Sequence, residues 1–150
     1  MASTFTVTTH ARVPLEDLFD ASLSVDEHTA SMSASRERAI AGVTSGDMRL
    51  GESVTWRARH FGVWFTMTSK ITALDRPNFF VDEQQRGPFK RFRHEHHFER
   101  VGEMTVMRDT ITLAAPVVGV LAERLVLVPY LRKLIRERNE HLTRALTDRP

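Results

Sequence analysis

The hydrophobic and polar residues of this chain alternate with a period of two over much of its length. In residues 4–12, aromatic and β-branched residues alternate with threonines, which predicts a first β-strand. Apolar residues then recur at helical spacing and predict an amphipathic helix over residues 14–22. Ser24 and Glu27 have the spacing of a capping box, which predicts a second short helix over residues 25–31.

Alternation returns after residue 36 and predicts six further strands joined by short turns. They span residues 36–43, 52–60, 63–74, 79–86, 89–101 and 104–113. Because such short connections allow hairpins but no crossovers, neighbouring strands are expected to pair antiparallel.

The C-terminal part has a helical period instead. In residues 120–146, apolar side chains form one broad stripe and charged side chains fill the opposite face, which predicts a long helix. Leu125 belongs to the apolar stripe. Pro116 and Gly119 separate it from the strands. Pro129 lies inside the pattern, where it lacks an N–H and clashes with the carbonyl of Leu125, so we expect a kink or a break.

This order of elements predicts an α+β fold. The economical arrangement is a curved antiparallel sheet of about six or seven strands wrapped around the long C-terminal helix, with two short helices after strand 1. Residues 1–150 are expected to form a single domain. A curved sheet around one helix does not close fully, so a cavity lined by alternate strand residues is expected between them.

Composition narrows the possible functions. The chain has no cysteine and no long apolar run or signal sequence, which favours a cytoplasmic protein without a transmembrane segment. The pI of about 9.5 accompanies a net charge of only +2 with intermixed signs, so no nucleic-acid partner is expected. The expected state is a monomer or a homodimer, and no nucleotide-binding or cofactor motif is present.

The strand over residues 89–101 carries the most unusual side chains. Phe92, His94, His96 and Phe98 alternate and therefore share one face. A two-residue turn at Gly102-Glu103 sets the register with the next strand. It pairs Phe98 with Met107, His96 with Asp109 and His94 with Ile111. A three-residue loop at residues 87–89 would likewise place Gln84 opposite Phe92 and Asp82 opposite His94.

Three roles are open for the pair of His96 and Asp109. An aspartate that holds one imidazole nitrogen fixes the tautomer and raises basicity, so the two are candidate catalytic residues for enolisation or dehydration. They could instead hydrogen-bond a ligand, together with His94 and Gln84. They could also satisfy only each other inside the fold, because a buried charge must be paired.

A metal site is the alternative for His94, His96 and their neighbours. Two histidines at i and i+2 on a strand can both bind a metal, with Asp109 or His60 as a third ligand. The run lacks the HExxH pattern and a closed ligand set, so no metal or other cofactor is expected.

Other residues are candidates for the cavity wall. Trp56, Phe65 and Met67 fall on alternate strand positions, while Leu125 and Tyr130 belong to the C-terminal helix. His28 and His60 are expected at the surface, near turns. The candidate ligand-binding residues are therefore Trp56, Phe65, Met67, Gln84, Phe92, His94, His96, Phe98, Met107, Asp109, Ile111, Leu125 and Tyr130.

These features together resemble the START-like, or SRPBCC, superfamily, whose helix-grip fold is also called Bet v 1-like. The resemblance rests on the element order, Gly87-Pro88-Phe89, the Phe92 to Phe98 strand, Asp109 and the long C-terminal helix. Residues 55–62 and 23–28 are similar to small actinobacterial members. It covers about residues 4–147 and is strongest to the bacterial polyketide cyclase/dehydrase-like branch.

The resemblance implies binding of a small hydrophobic ligand of the lipid, sterol, polyketide or aromatic type. The alternative that it implies is a cyclase or dehydratase that uses His96 and Asp109 as an acid/base pair. Members of the superfamily include carriers, receptors and cyclases, so the fold by itself does not choose between the two.

Overall fold

The computed structural model describes residues 2–115 and 122–148, which form one curved sheet and several helices. The strands are β1 (Ser3–Ala11), β2 (Arg38–Gly42), β3 (Ser53–His60), β4 (Val63–Asp75), β5 (Phe79–Arg86), β6 (Arg91–Val101) and β7 (Met104–Ala114). The helices are α1 (Leu15–Leu23), α2 (Val25–Ser31) and the long α3 (Val128–Thr147), with a 3-10 turn at Ser33–Ser35 and a π-helical segment at Glu123–Leu127.

All seven strands pair antiparallel in the order β1-β7-β6-β5-β4-β3-β2. The predicted α+β architecture is confirmed. The β6–β7 register is also as predicted, since Val101 pairs with Met104 across a turn in which Gly102 has a φ of 60°. Two irregularities in the β4–β5 ladder add curvature to the long strands.

Strand β6 begins two residues later than predicted, at Arg91. The side-chain amide of Gln84 donates to the Phe89 carbonyl at 2.7 Å and accepts from the Phe89 N–H at 3.2 Å. These bonds tie the loop before β6 to the end of β5, and the β5–β6 ladder ends one pair before the predicted opposition of Gln84 and Phe92.

Two apolar clusters lie between the sheet and the helices. The larger one packs α1, including fully buried Leu18 and Phe19, against the sheet and the end of α3 at Leu142. The smaller one packs strands β1 and β7 against the first half of α3, where Leu131 and Ile135 are partly buried. Burial of apolar side chains in both clusters is the main force that holds α3 in the curved sheet.

The C-terminal helix changes from π-helical to α-helical geometry just before Pro129, where the sequence predicted a kink or a break. In the π-helical segment the N–H of Val128 donates to the carbonyl of Glu123, five residues back, and Pro129 then occupies the first turn of α3. A proline is tolerated in a first turn because its missing N–H is not needed there. The predicted helix start at residue 120, Pro116 and Gly119 lie outside the described residues. Within the described residues, no helix is long and apolar enough to cross a membrane.

Candidate functional site

A cavity of about 410 Å³ lies between the sheet and α3. Its apolar lining comes from strands β3 and β4, the loop before β6 and one face of α3, with Phe65, Met67, Leu131 and Leu134 as examples. Its volume falls within the range of small-molecule sites, which is roughly 300–1,000 Å³.

The structure brings about half of the predicted site residues to this cavity. Those that line it are Trp56, Phe65, Met67, Phe92, His94, His96 and Tyr130. Those that do not are Gln84, Phe98, Met107, Asp109, Ile111 and Leu125.

The residues away from the cavity have identifiable roles. Phe98 and Met107 pack in the larger apolar cluster, and Ile111 packs in the smaller one. Gln84 holds the loop before β6. Leu125 lies in the π-helical segment, where its side chain is 66% exposed.

Four titratable side chains form a compact cluster on the inner wall. His94 Nε2 lies 2.7 Å from Asp109 Oδ1, and His96 Nε2 lies 2.7 Å from Asp82 Oδ2. The predicted cross-strand pair also meets, with His96 Nδ1 3.1 Å from Asp109 Oδ1. The two imidazole rings stack with centroids 3.7 Å apart, and Phe80 covers the other face of His96 at 3.9 Å.

The two carboxylates of this cluster differ in exposure. Asp109 is fully buried and does not reach the cavity, whereas the Asp82 side chain is 23% exposed and lines it. Asp82 pairs with His94 across β5 and β6, as the predicted loop length required. Of these two carboxylates, Asp82 is therefore the one that a bound molecule would meet.

Buried residues of α3 also hold Asp109 in place. Asn139 Nδ2 donates to Asp109 Oδ2 at 2.8 Å, and Arg138 Nη1 approaches Asp109 Oδ1 at 3.5 Å. Arg138 also donates to the carbonyl of Ser22 in α1. The carboxylate thus ties both helices to the sheet beneath the cavity.

Electrostatics keep both carboxylates ionised. Burial alone would raise the pKa of Asp109, but its close contacts with His94 and His96 outweigh burial and hold the pKa well below its usual range. The pKa of Asp82 is lowered in the same way, with the His96 hydrogen bond opposing burial. Burial, and then the neighbouring His96, lower the pKa of His94.

Two more polar pairs lie on the cavity wall, and the sequence did not indicate them. His28 Nε2 lies 2.7 Å from Glu37 Oε1, and the Glu37 side chain is only 8% exposed. His60 Nδ1 lies 2.7 Å from the Tyr130 hydroxyl. Both histidines line the cavity instead of the outer surface, and burial lowers the pKa of His60. For His60, its place on the same strand face as Trp56 was the available signal.

The sequence matches no protein-family model, and no curated protein matches it significantly. Solved structures do resemble the chain. Ara h 8.0201 superimposes with a TM-score of 0.75 at 13% identity, covering 99% of this chain and 100% of that one. TTHA0849 from Thermus thermophilus gives 0.74 at 16% identity, covering 95% and 99%. The Zhui aromatase/cyclase from Streptomyces gives 0.69 at 14% identity, covering 97% and 96%.

The chain has the START-like, helix-grip fold. At these identities the likeness establishes the fold, and the activity has to be argued from the cavity itself. In this helix-grip protein the cavity combines apolar walls with a buried cluster of two imidazoles and two carboxylates. Such a cluster can accept a hydrogen bond from a bound molecule, donate one to it, or move a proton.

We predict that Asp109→Asn strongly destabilises the helix-grip domain. The change would leave Arg138 as a buried cation without a carboxylate, and breaking a buried pair costs about 3–5 kcal/mol. Urea unfolding at neutral pH measures the loss.

The matched control is Glu99→Gln, which also removes a carboxylate from a strand. Glu99 pairs with Arg108 at 2.8 Å, but both side chains are about half exposed. That change should cost at most about 1 kcal/mol. Equal losses for the two variants would show that the Asp109 network contributes no more than a surface ion pair.

Proposed function

We propose that this protein binds a small, mainly apolar molecule that carries one polar group, inside the cavity between the sheet and α3. The observation that supports the proposal is the cavity of about 410 Å³, apolar along most of its wall and polar at the cluster of Asp82, His94 and His96. Ligand sites typically combine such an apolar surface with a few polar groups that fix orientation.

The wall suggests how the ligand lies. Its apolar body would contact Phe65 and Met67 from the sheet and Leu134 from α3, and each buried methylene would contribute about 0.8 kcal/mol. Its polar group would reach the cluster, where Asp82 and an imidazole nitrogen accept hydrogen bonds. A hydroxyl fits this description.

Native mass spectrometry of the purified protein tests the proposal directly. A molecule that is retained should appear as a discrete added mass. A panel of fatty acids, sterols and polycyclic aromatics should also raise the melting temperature, since a ligand at about 100 times its Kd adds about 2.7 kcal/mol of stability. A bare chain whose melting temperature no panel member shifts would argue against ligand binding.

Filling the cavity should weaken binding without unfolding the protein. In Leu134→Trp, the larger side chain would project into the cavity and exclude the ligand, so we expect affinity to fall by at least about tenfold, or about 1.4 kcal/mol. Isothermal titration with the best panel ligand measures the change. Leu125→Trp is the matched control, because Leu125 lies nearby in the chain but is exposed and does not line the cavity. Equal affinity in the two variants would place the ligand elsewhere.

Phe61 offers a second test at the edge of the cavity. It adopts a left-handed φ of 53° in the β3–β4 turn, remains 60% exposed, lines the cavity and packs on Tyr130 at 4.4 Å. A bulky residue pays about 1–2 kcal/mol for that conformation, whereas Asn-Gly is a preferred pair in such turns.

We therefore expect Phe61→Asn to weaken ligand binding with no net loss of thermal stability, because relief of backbone strain offsets the lost contact with Tyr130. Val63→Asn is the control, since Val63 is 53% exposed in the same hairpin and does not line the cavity. Unchanged ligand affinity in Phe61→Asn would remove Phe61 from the binding site.

A second candidate function is an aldol-type cyclase or dehydratase. The observation that favours it is the 2.7 Å contact between His96 and Asp82, because that pair lines the cavity. In this mechanism the His96–Asp82 pair would take a proton from the carbon between two carbonyls of a poly-β-ketone, and the enolate would attack a second carbonyl. Asp109, the partner expected from sequence, would position His94 and His96 from behind.

Turnover of a poly-β-ketone thioester, followed by the absorbance of the aromatic product, tests the cyclase hypothesis. Asp82→Asn should lower kcat by about 100-fold or more, the usual range for a proton-transfer group, while equilibrium binding of the thioester persists. A carrier would bind the thioester and leave it unchanged in both the original protein and the variant.

A further inference from the structure

The structure assigns a second property to the inner wall: we propose that Asp82, His94 and His96 bind one divalent transition-metal ion, of which Zn²⁺ is the best probe. Each residue offers one ligand atom, and the three atoms lie within 4.8 Å of one another. They form the one such group of three among residues 2–115 and 122–148. The proposal is independent of the identity, or even the existence, of an organic ligand.

Two of the separations between the ligand atoms lie on either side of the value for a tetrahedral site. Asp82 Oδ2 lies 2.7 Å from His96 Nε2 and 4.0 Å from His94 Nδ1. Metal bonds of about 2.0–2.2 Å at tetrahedral angles place neighbouring ligand atoms about 3.3–3.5 Å apart. To admit the ion, Asp82 Oδ2 would therefore move away from His96 Nε2 and toward His94 Nδ1.

Asp109 supplies the outer support that metal-binding histidines usually have. Its Oδ1 atom lies 2.7 Å from His94 Nε2 and 3.1 Å from His96 Nδ1, which are the ring nitrogens that point away from Asp82. A carboxylate behind a metal-binding imidazole fixes the tautomer and raises the basicity of the inner nitrogen. Here one buried carboxylate would serve both imidazoles.

The proton count gives an independent reason for an ion. If each imidazole is neutral and donates its short hydrogen bond, His94 to Asp109 and His96 to Asp82, then His96 Nδ1 is buried without a hydrogen-bond partner. An unpartnered buried nitrogen beside a carboxylate is unfavourable. A metal ion on the inner nitrogens would keep both outer nitrogens protonated beside Asp109 Oδ1, at 2.7 Å for His94 Nε2 and 3.1 Å for His96 Nδ1.

The ion would face the cavity. Three protein ligands leave at least one coordination position open, as in catalytic zinc sites with two histidines and one carboxylate. Asp82 supplies the exposed edge of the cluster, so the open position would point toward a bound molecule. A divalent ion together with Asp82, Asp109 and Arg138 leaves one net positive charge, which favours a ligand carboxylate or enolate oxygen.

The metal ligands proposed from the structure differ from those that the sequence suggested. Asp109 lies behind the two imidazoles, and His60 is bonded to Tyr130. His97 lies on the opposite face of β6, where its side chain is 49% exposed and stacks on Phe79. His97 therefore provides an internal control with the same chemistry on the same strand.

Titration of the tag-free, chelator-treated protein with Zn²⁺ by calorimetry, and with Co²⁺ by visible absorption, tests the proposal. We expect one ion per chain and the intense visible bands of four-coordinate Co²⁺. Asp82→Asn and His96→Gln should each weaken binding at least about tenfold, and Asp109→Asn by about 10–100-fold, the usual effect of losing an outer partner. His97→Gln should bind as the original protein does.

Circular dichroism and melting curves recorded in chelator identify any variant that fails to fold, and Asp82→Asn keeps the test usable if His96→Gln is unstable. Absence of stoichiometric binding by the folded original protein would overturn the proposal. Binding that survives Asp82→Asn and His96→Gln, or that His97→Gln abolishes, would also overturn it. Since no organic ligand is used, either result leaves the proposed function to be judged on its own tests.

Discussion

The buried carboxylate of Asp109 is the polar contact that joins the sheet to the helices beneath the cavity. It lies on β7, faces two histidines of β6 and receives a hydrogen bond from Asn139 of α3. Arg138, beside it, reaches back to α1. One side chain thus joins both layers of the fold at the floor of the cavity. An ionised group in such a place requires this many partners, because an unpaired buried charge would cost several kcal/mol.

The position of that network explains why the cavity stays open. Apolar side chains fill the space around α1 and the end of α3, and a second cluster fills the space beside β1 and β7. The polar network occupies the inner wall near them and cannot collapse into either cluster without losing hydrogen bonds. The space between the long strands and the first half of α3 therefore remains unfilled, and it becomes the cavity.

The sequence predicted the fold and the side chains that form one wall of the site. The period of two located the strands, and the Gly102 turn fixed the register that places His96 opposite Asp109. It did not separate the cavity side of the cluster from its buried side, because that distinction depends on how the sheet curves around α3. Arg138 and Glu37 were also missed, since in one sequence a buried charged side chain looks like a solvated one.

A contribution to folding stability does not by itself explain why this polar cluster is present. An apolar set of the same volume often stabilises a protein as well as a buried ionic network does, or better. The two imidazoles and Asp82 also leave a buried nitrogen without a partner, which costs free energy in the free protein. Polar groups that destabilise the free protein and that face a cavity are characteristic of sites that act on a bound species. A proton and a metal ion would both occupy the small space between Asp82 and the two inner imidazole nitrogens, so each would exclude the other.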